Sequence, residues 1–568
     1  MGIFLSFQMT KGTLLIRLYE RWGYYCVLFL FTAWIVSLIY LLDEMDFSLK
    51  TFFGKYRTNL FLSLCIVLPT FYLAPLRFRV LSDETGAIGT SRALTFRKHA
   101  DLAINQLSDG LNLQVNLSAD DKRPLVYPFF INLINSVFGY RPTNGFVINF
   151  IALWALMALL SIYMEKYGGL WPWIIIFFIA SQQIFLYVAT SCTVDMLALL
   201  FSLICLLAVA KFLVSESDAA LAFLLLTLGI YAQIRTEGPV DSTILLLGLG
   251  VVGWKKSILQ RVSQTPVFWF MVLMCFPIFW HNYPLGQQMT FYSQGLSDHL
   301  FHWHFFWPNL KNLILAFTVR EDAPFSAVPA LLFVLSLIAF CTQGFRWRIA
   351  SASDKKAYLI WGLGVSTLTL MYLVYFWGNP LDCLSSRYYA PFSLAIALFA
   401  VSYFAGRSYS ISIQKFILVA MIMTWVHYLP YHQEDLFNNQ EPTRRENIFA
   451  TRYLERWHDQ NILLVANREV DYTIYDHAVL DFTRFLEGKE SYLNDLKTHV
   501  YTDILIIQTI DSASGQPCSG QELPADLPLA LLAEYRVNPQ RTVRISKIVS
   551  MGFVHETAFR QNSQLSNS

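Results

Sequence analysis

Two adjacent carboxylates, Asp83 and Glu84, directly follow an apolar segment at residues 58–76. They stand where a membrane helix would meet water, ahead of a polar stretch that runs to about Pro142. Such a pair has two interpretations. It can cap the helix that follows, because carboxylates favour the positive end of a helix. It can also take a proton from a hydroxyl group as a general base.

Further ionisable residues recur at the ends of later apolar segments, and they are Asp195, Arg235, Glu237 and Arg387. Charged groups near lipid are costly and are therefore often functional. Each has a structural alternative, because Asp195 could cap a helix and the arginines could be anchors at the membrane surface. If all of them lie on one side of the membrane, they line a single cavity that contains both acids and bases.

The composition predicts the class of protein that holds these residues. The chain has 568 residues, of which 55% are hydrophobic and 14% are charged, and its mean hydropathy is +0.43. Soluble domains carry about a quarter charged residues. Apolar runs of about 20 residues recur, and each can cross a hydrocarbon core of roughly 30 Å. We therefore expect a polytopic α-helical membrane protein, and the net charge of +2 with scattered basic residues argues against nucleic acid as a partner.

The apolar segments predict about 11–12 transmembrane helices. They lie at residues 24–42, 58–76, 145–164, 170–188, 194–214, 219–235, 240–254, 267–283, 325–342, 357–376, 391–406 and 415–429. Basic residues are concentrated in one set of alternate short loops, which should be cytoplasmic. The ionisable residues above then lie on the outer side. Three basic residues near the N-terminus conflict with this orientation, and they are Lys11, Arg17 and Arg21. Either the first segment does not fully cross the membrane, or the preference of basic residues for the cytoplasmic side fails there.

Two regions outside the apolar segments have their own patterns. In the first outer loop, residues 77–142, helical periodicity at 84–96 and 128–138 predicts amphipathic helices on the membrane surface. From residue 430 onward, strand-like and helical stretches alternate, which predicts a soluble α/β domain.

The predicted division is a transmembrane catalytic domain at 1–429 and a soluble outer domain at 430–568. Within the latter, strands are expected at 461–466, 503–508 and 542–550, and helices around 478–486 and 527–535.

Metal chemistry has little support in the sequence. His299, His302 and His304 could bind a metal, but they lie in an aromatic run that is more typical of a membrane-interface belt. No cysteine motif with metal-ligand spacing is present. We expect neither a metal nor a cofactor, and no cleaved signal peptide is recognised.

The ordered motifs resemble those of the GT-C glycosyltransferases, the polytopic enzymes that use polyprenyl-phosphate sugar donors. The branch of protein O-mannosyltransferases and lipid A aminoarabinose transferases is the most similar. The resemblance covers about residues 58–410 and rests on the Asp83-Glu84 pair, Arg123-Pro-Leu-Val-Tyr-Pro128 with Phe138-Gly139, Asp195, Arg235-Thr-Glu-Gly-Pro239 and Arg387-Tyr-Tyr-Ala-Pro391. The chain departs from the pattern in its extra first apolar segment and in Arg123, which stands where relatives often carry His or Pro.

The resemblance implies an inverting enzyme that moves one hexosyl or pentosyl unit from a polyprenyl-phosphate donor to a lipid glycan or a protein hydroxyl on the outer face of the membrane. The implied catalytic pair is Asp83 and Glu84, with Asp83 as the base. The donor phosphate would contact Arg387, Arg235 and Tyr388. Other substrate contacts would come from Asp195, Glu237, Arg123 and Tyr127, with Asp120 and Asp121 as reserve acids.

The alternative function is a transporter or flippase of lipid-linked sugars or polymers. Such proteins often carry repeat-related broken helices, which the sequence does not reveal, and the charged residues cluster at one face rather than along a path. A membrane-anchored assembly protein is a third hypothesis. The predicted location is a bacterial inner membrane with the C-terminal domain in the periplasm, or the ER membrane in a eukaryote.

Overall fold

The computed structural model describes residues 2–79, 81–109, 112–120, 123–253, 256–275, 299–317, 325–343, 351–407, 409–434, 441–457 and 460–549. The chain divides into two compact units. The membrane unit comprises Met1–Asp101 and Asp120–Glu441, and the C-terminal unit comprises Leu102–Ala119 and Pro442–Ser568.

The described part of the membrane unit is helical. Its helices are α1 (Gly2–Glu44), α2 (Leu49–Leu73), α3 (Leu81–Phe96), α4 (Val126–Phe138), α5 (Asn144–Met164), α6 (Trp171–Ala180), α7 (Gln183–Ala189), α8 (Asp195–Ser215), α9 (Asp218–Ala232), α10 (Gly238–Gly253), α11 (Lys256–Gln264), α12 (Pro266–Cys275), α13 (Phe306–Ala316), α14 (Ala327–Gln343), α15 (Ala352–Leu373), α16 (Ala390–Ala405) and α17 (Ile411–Glu434).

All twelve predicted apolar segments lie on these helices, although the segment at 267–283 extends beyond the described residues. Among the described residues, five helices are by themselves long and apolar enough to cross a membrane. The segment at 170–188 differs from the prediction of one straight helix, because α6 and α7 meet at a bend of 69°. The polar pair Ser181-Gln182 occupies this break.

Burial separates inner helices from outer ones. The helix α8 is apolar around its whole circumference, and side chains such as Leu203 and Val209 are completely buried. A helix of this kind belongs inside a bundle. By contrast, Phe29 on α1 and Phe416 on α17 are 57% and 75% exposed, as expected for side chains that face lipid.

Residues 77–142, the predicted first outer loop, contain the two predicted helices, α3 and α4. Between them lie two strands that the sequence analysis did not predict, β1 (Asp101–Ser108) and β2 (Leu113–Asp120). These strands are neighbours in a seven-stranded sheet whose remaining strands come from the end of the chain.

The C-terminal unit is an α/β sandwich, as predicted. Its further elements are α18 (Pro442–Leu454), β3 (Ile462–Ala466), α19 (Val470–Thr473), β4 (Ala478–Leu480), α20 (Phe482–Glu487), α21 (Lys489–Lys497), β5 (Asp503–Asp511), β6 (Leu529–Asn538) and β7 (Arg541–Ile548). The strand order is β2-β1-β4-β3-β5-β7-β6, and β3 pairs in parallel with β4 and β5. Side chains of β3 alternate between two apolar cores, with Leu464 in one and Leu463 in the other.

The helix predicted at 527–535 is wrong, because these residues form most of β6. Leucine and alanine there favour a helix intrinsically. Pairing with β7 in the sheet decides the outcome, and the burial along β6 largely follows the two-residue period of a strand.

Candidate active site

Arg387 is the centre of an ionic network in the membrane unit. It lies in a 3-10 turn, Ser386–Tyr389, that leads into α16. Its Nη2 donates a hydrogen bond to Asp83, and its Nη1 lies 3.5 Å from Oδ2 of Asp195. Asp83 is in the first turn of α3 and Asp195 begins α8. The starts of three helices that are remote in sequence therefore meet at one guanidinium group.

A second arginine completes the surroundings of Asp83. Nη2 and Nε of Arg123 lie 2.5 and 3.2 Å from Oδ1 of Asp83, while Arg387 takes Oδ2. Burial by itself would raise the pKa of Asp83, but the charges and hydrogen bonds of Arg123 and Arg387 hold that pKa well below its ordinary range. In the free site Asp83 is therefore an ionised but weak base.

Arg235 extends the network on the other side of Asp195. Its Nη1 donates to Asp195, and its Nη2 and Nε lie 2.6 and 3.1 Å from Oε1 of Glu237. The hydroxyl of Tyr372 also donates to Glu237. Burial would raise the pKa of Glu237, but Arg235 and the Tyr372 hydrogen bond lower it to about 2. Glu237 is thus a fixed anion beside Arg235.

An aromatic pair packs against both cations. The ring centroid of Tyr388 lies 5.3 Å from the guanidinium carbon of Arg387 and 5.4 Å from that of Arg235. Tyr388 stacks on Tyr372 with ring centroids 4.9 Å apart. Cation–π contact of this kind orients a guanidinium without neutralising it.

The two acids of the Asp83-Glu84 pair have different surroundings. The side chain of Asp83 is 27% exposed, whereas Glu84 is completely buried. Oε1 of Glu84 accepts a hydrogen bond of 2.6 Å from the backbone N–H of Cys192. Glu84 therefore ties α3 to the turn that precedes α8, and Asp83 is the member that a substrate can reach.

This architecture matches solved structures of ArnT from Cupriavidus metallidurans. The structure bound to undecaprenyl phosphate matches with a TM-score of 0.54 and 11% identity over 87% of this chain and 98% of ArnT. The apo structure gives 0.54 and 11% over 84% and 96%. The chain has the ArnT fold. The match confirms the predicted architecture of a polytopic helical membrane protein with a C-terminal sheet region. No family profile and no curated protein sequence matches the chain.

Tyr127, another predicted substrate contact, lies near the network, because the charges of Glu84 and Asp195 act on its hydroxyl. Tyr127 is completely buried in α4, and its hydroxyl lies 3.5 Å from the carbonyl oxygen of Gly145. Of the reserve acids, Asp120 ends β2 and Asp121 lies outside the described residues.

The histidines do not form a metal centre in the described part of the chain. Nδ1 atoms of His302 and His304 lie 2.6 Å apart, and both side chains are exposed. The described ranges contain no group of three His, Cys, Asp or Glu side chains arranged as metal ligands.

The sequence analysis did not predict two residues that contact the ion-pair network or the turn that carries it, Tyr372 and Arg79. Tyr372 binds Glu237 and stacks on Tyr388, as described above. Arg79 is buried, and its Nε and Nη2 lie 3.0 and 2.6 Å from the carbonyl oxygen of Cys383. Nη2 of Arg79 also lies 2.5 Å from Oγ of Ser386, next to Arg387. A positive charge four positions before Asp83 was the available signal for Arg79.

Proposed function

We propose that this protein is a membrane glycosyltransferase that moves one sugar, with inversion, from a polyprenyl-phosphate donor to a hydroxyl of a lipid glycan or a protein. The observation that carries the proposal is the position of Arg387, which is bonded to Asp83 and lies 3.5 Å from Asp195. The shared fold supports the donor class, because one of the matching ArnT structures is bound to undecaprenyl phosphate.

The arginines suit a phosphate ligand. A guanidinium group binds phosphate oxygens in a bidentate manner and stays ionised. Arg387 and Arg235 both contact the ring of Tyr388 and the carboxylate of Asp195, so their charges are preorganised beside each other. Neutralising the phosphate charge makes it a better leaving group.

Donor binding would also activate the base. In the free site both oxygens of Asp83 are engaged by arginines, which keeps the carboxylate a weak base. When the donor phosphate takes the hydrogen bonds of Arg387, Asp83 loses one of its two cations and its pKa rises. The base is therefore strengthened only after the donor is bound, which disfavours proton abstraction in an empty site.

The chemical step follows from these roles. The acceptor oxygen attacks the anomeric carbon and forms a new C–O bond, while the bond from that carbon to the phosphate oxygen breaks. The bonding electron pair leaves with the polyprenyl phosphate, and the acceptor proton passes to Asp83. Attack from the face opposite the leaving group inverts the anomeric centre. The scheme requires neither a metal nor a cofactor.

We place the reaction at the outer face of the membrane, in a bacterial inner membrane or, in a eukaryote, in the ER. The competing function is a transporter of lipid-linked sugars, and the bent pair α6–α7 is a feature that transporters also use. A transporter moves its substrate without breaking the sugar–phosphate bond, so the reaction products separate the two hypotheses.

The test uses the purified full-length protein in detergent with a polyprenyl-phosphate sugar and candidate acceptors. A transferase releases polyprenyl phosphate, and Asp83→Asn should lower turnover by at least about 10²-fold because a general base typically contributes 10²–10⁴. Asp526→Asn, which removes an exposed carboxylate paired with Lys489, is the control and should keep wild-type turnover. Activity of Asp83→Asn within about threefold of wild type would reject Asp83 as the base.

A further inference from the structure

The turn that carries Arg235 and Glu237 is the tip of a hairpin of two membrane helices. Helix α9 ends directly before residues 233–237, and α10 begins directly after them. From this turn Arg235 contacts Asp195, Glu237 and the ring of Tyr388. The position of the turn therefore decides where the guanidinium group of Arg235 can meet a phosphate.

Buried hydrogen bonds join the two helices next to this turn. The hydroxyl of Tyr231, in the last turn of α9, donates to Oδ2 of Asp241, in the first turn of α10, at 2.7 Å. Tyr231 and Asp241 are 5% and 1% exposed. Beside this pair, the hydroxyl of Ser242 donates to the carbonyl oxygen of Leu228 at 3.1 Å. These two bonds hold the ends of the turn together.

Gly238 lets the two helices approach this closely. A Cβ atom at this position would lie 2.6 Å from the carbonyl oxygen of Tyr231 and 3.1 Å from Cα of Ala232. Backbone atoms cannot rotate aside as the end of a flexible side chain can. A larger residue at position 238 would therefore separate the ends of the turn.

The surroundings of Asp241 do not favour a purely stabilising role. Its Oδ1 is buried and has no hydrogen-bond partner among the described residues. This oxygen lies against Gly364 of α15, where an added Cβ atom would collide with it. A buried polar atom without a partner costs free energy, and an apolar pair of similar shape would avoid that cost. Asp241 is better explained by what it holds in place than by the stability that it adds.

We propose that Asp241 is a positioning residue for the donor phosphate, and that its hydrogen bond with Tyr231 fixes the turn from which Arg235 reaches that phosphate. The proposal rests on the proposed function, which places a phosphate beside Arg235. If the hairpin opens, Arg235 moves relative to Asp195. Its hydrogen bonds to a phosphate would then weaken steeply, because they depend on distance and angle.

The first experiment measures the affinity of the full-length protein in detergent for undecaprenyl phosphate, the ligand of one of the matching ArnT structures. Tyr231→Phe removes only the hydroxyl that donates to Asp241, and Kd should rise about tenfold, as for loss of one good buried hydrogen bond. Tyr358→Phe is the matched control. It removes a hydroxyl that lies 3.2 Å from Oγ of Ser402, between α15 and α16, and it should keep the wild-type Kd. Equal Kd values for the two variants would overturn the proposal.

The second experiment varies Asp241 itself. Asp241→Asn keeps an oxygen that can accept from Tyr231, so its Kd should stay within about threefold of wild type, whereas Asp241→Leu should raise Kd about tenfold. Adding Tyr231→Phe to Asp241→Leu should cause no further loss, because both remove the same hydrogen bond. Donor KM should follow Kd while kcat changes less, which general destabilisation would not produce. Additive losses, or an Asn variant as weak as the Leu variant, would reject the role of this bond. If Asp241→Leu does not fold, Tyr231→Phe and Asp241→Asn decide.

Hydrogen exchange tests the turn without a ligand. The backbone N–H of Gly238 donates to the carbonyl oxygen of Arg235 at 3.0 Å within the turn. Exchange in residues 232–240 should rise about tenfold in Tyr231→Phe and stay unchanged in Tyr358→Phe. A wild-type protein that binds no undecaprenyl phosphate would contradict the proposed function and the purpose assigned to the turn. Exchange would then decide by itself whether Asp241 fixes the turn, and equal exchange in the two variants would show that it does not.

Discussion

The ion pairs of the two units differ in burial. In the membrane unit the side chains of Arg387, Arg235 and Asp195 are 8%, 12% and 1% exposed. In the C-terminal unit, the pair of Arg544 and Glu534 is 37% and 42% exposed. Exposed pairs contribute about 0–1 kcal/mol, whereas burying a charge costs several kcal/mol before its partner compensates. The buried network is therefore poorly explained as a stabilising device and well explained as a preorganised ligand site.

Arg387→Ala should have the largest effect on both stability and turnover. It leaves Asp83 and Asp195 each with one arginine fewer, which should lower the free energy of unfolding by about 3–5 kcal/mol. Turnover with a polyprenyl-phosphate sugar should fall by at least about 10²-fold, as for loss of a preorganised donor to a developing charge. Thermal unfolding in detergent and steady-state kinetics measure both.

The matched control for Arg387→Ala is Arg544→Ala, which breaks an exposed pair in the C-terminal unit. It should change the free energy of unfolding by less than about 1 kcal/mol and leave the kinetics unaltered. An Arg387→Ala protein with wild-type donor KM and kcat would contradict the phosphate-binding role and remove the distinction between the two regions.

Acid should destabilise the membrane unit through Glu237. Its pKa in the folded protein is about 2, below the ordinary 4.5, so the folded state binds its proton less readily than the unfolded state does. The stabilisation is complete above the ordinary pKa and is lost as pH falls through that of the folded protein, for a total of about 3 kcal/mol. Unfolding of wild type and Glu237→Gln, measured between pH 5 and pH 2, should show a steeper decline in wild type, because Glu237→Gln keeps only the contribution of other carboxylates such as Asp83.

Asp526→Asn provides the comparison for Glu237. Lys489 lowers the pKa of Asp526 too, but the side chain of Asp526 is 71% exposed and its pair is screened by solvent. The variant should therefore change the pH dependence of stability much less than Glu237→Gln does. A larger change in Asp526→Asn would contradict the view that burial distinguishes the two sets of ion pairs.

Features that depend on residue type and on local apolar runs could be predicted from the sequence. Each of the twelve apolar segments lies largely on a helix as far as its residues are described, because a run of about 20 apolar residues has few alternatives to a membrane helix. The motif around Arg387 and the acids Asp83 and Asp195 were recognised from residue type and order. Their convergence was expected from the predicted topology, which puts all three on the same side of the membrane.

Pairings set by tertiary contact could not be predicted in this way. Arg79 meets the turn before Arg387 across about 300 residues, and no local period records that contact. Strand β2 could have been predicted from the sequence, because Leu113, Val115 and Leu117 alternate with polar residues as in a strand. Its place in the C-terminal sheet is non-local and was not available from the sequence.

Tyr372→Phe should have the smallest measurable effect, and it tests a single hydrogen bond. The substitution keeps the ring that stacks on Tyr388 and removes only the hydroxyl that donates to Glu237. A hydrogen bond to a charged group contributes about 1.5–3 kcal/mol, but Glu237 retains Arg235 and the hydroxyl of Thr236 at 2.8 Å, so we expect the low end. Donor KM should rise about tenfold while kcat changes little, because Glu237 positions a phosphate-binding arginine and does not touch the acceptor.

The matched variant for Tyr372 is Tyr492→Phe in the C-terminal unit, where a tyrosine ring stacks on Phe485 with centroids 6.1 Å apart. Removing that hydroxyl should leave both kinetic constants unchanged. If Tyr372→Phe also leaves donor KM unchanged, Arg235 is oriented by Asp195 and the remaining bonds to Glu237 alone, and the aromatic pair serves only to pack the site. A fall in kcat with constant KM would instead place Glu237 in the chemical step, because an interaction made only in the transition state lowers kcat without changing ground-state binding.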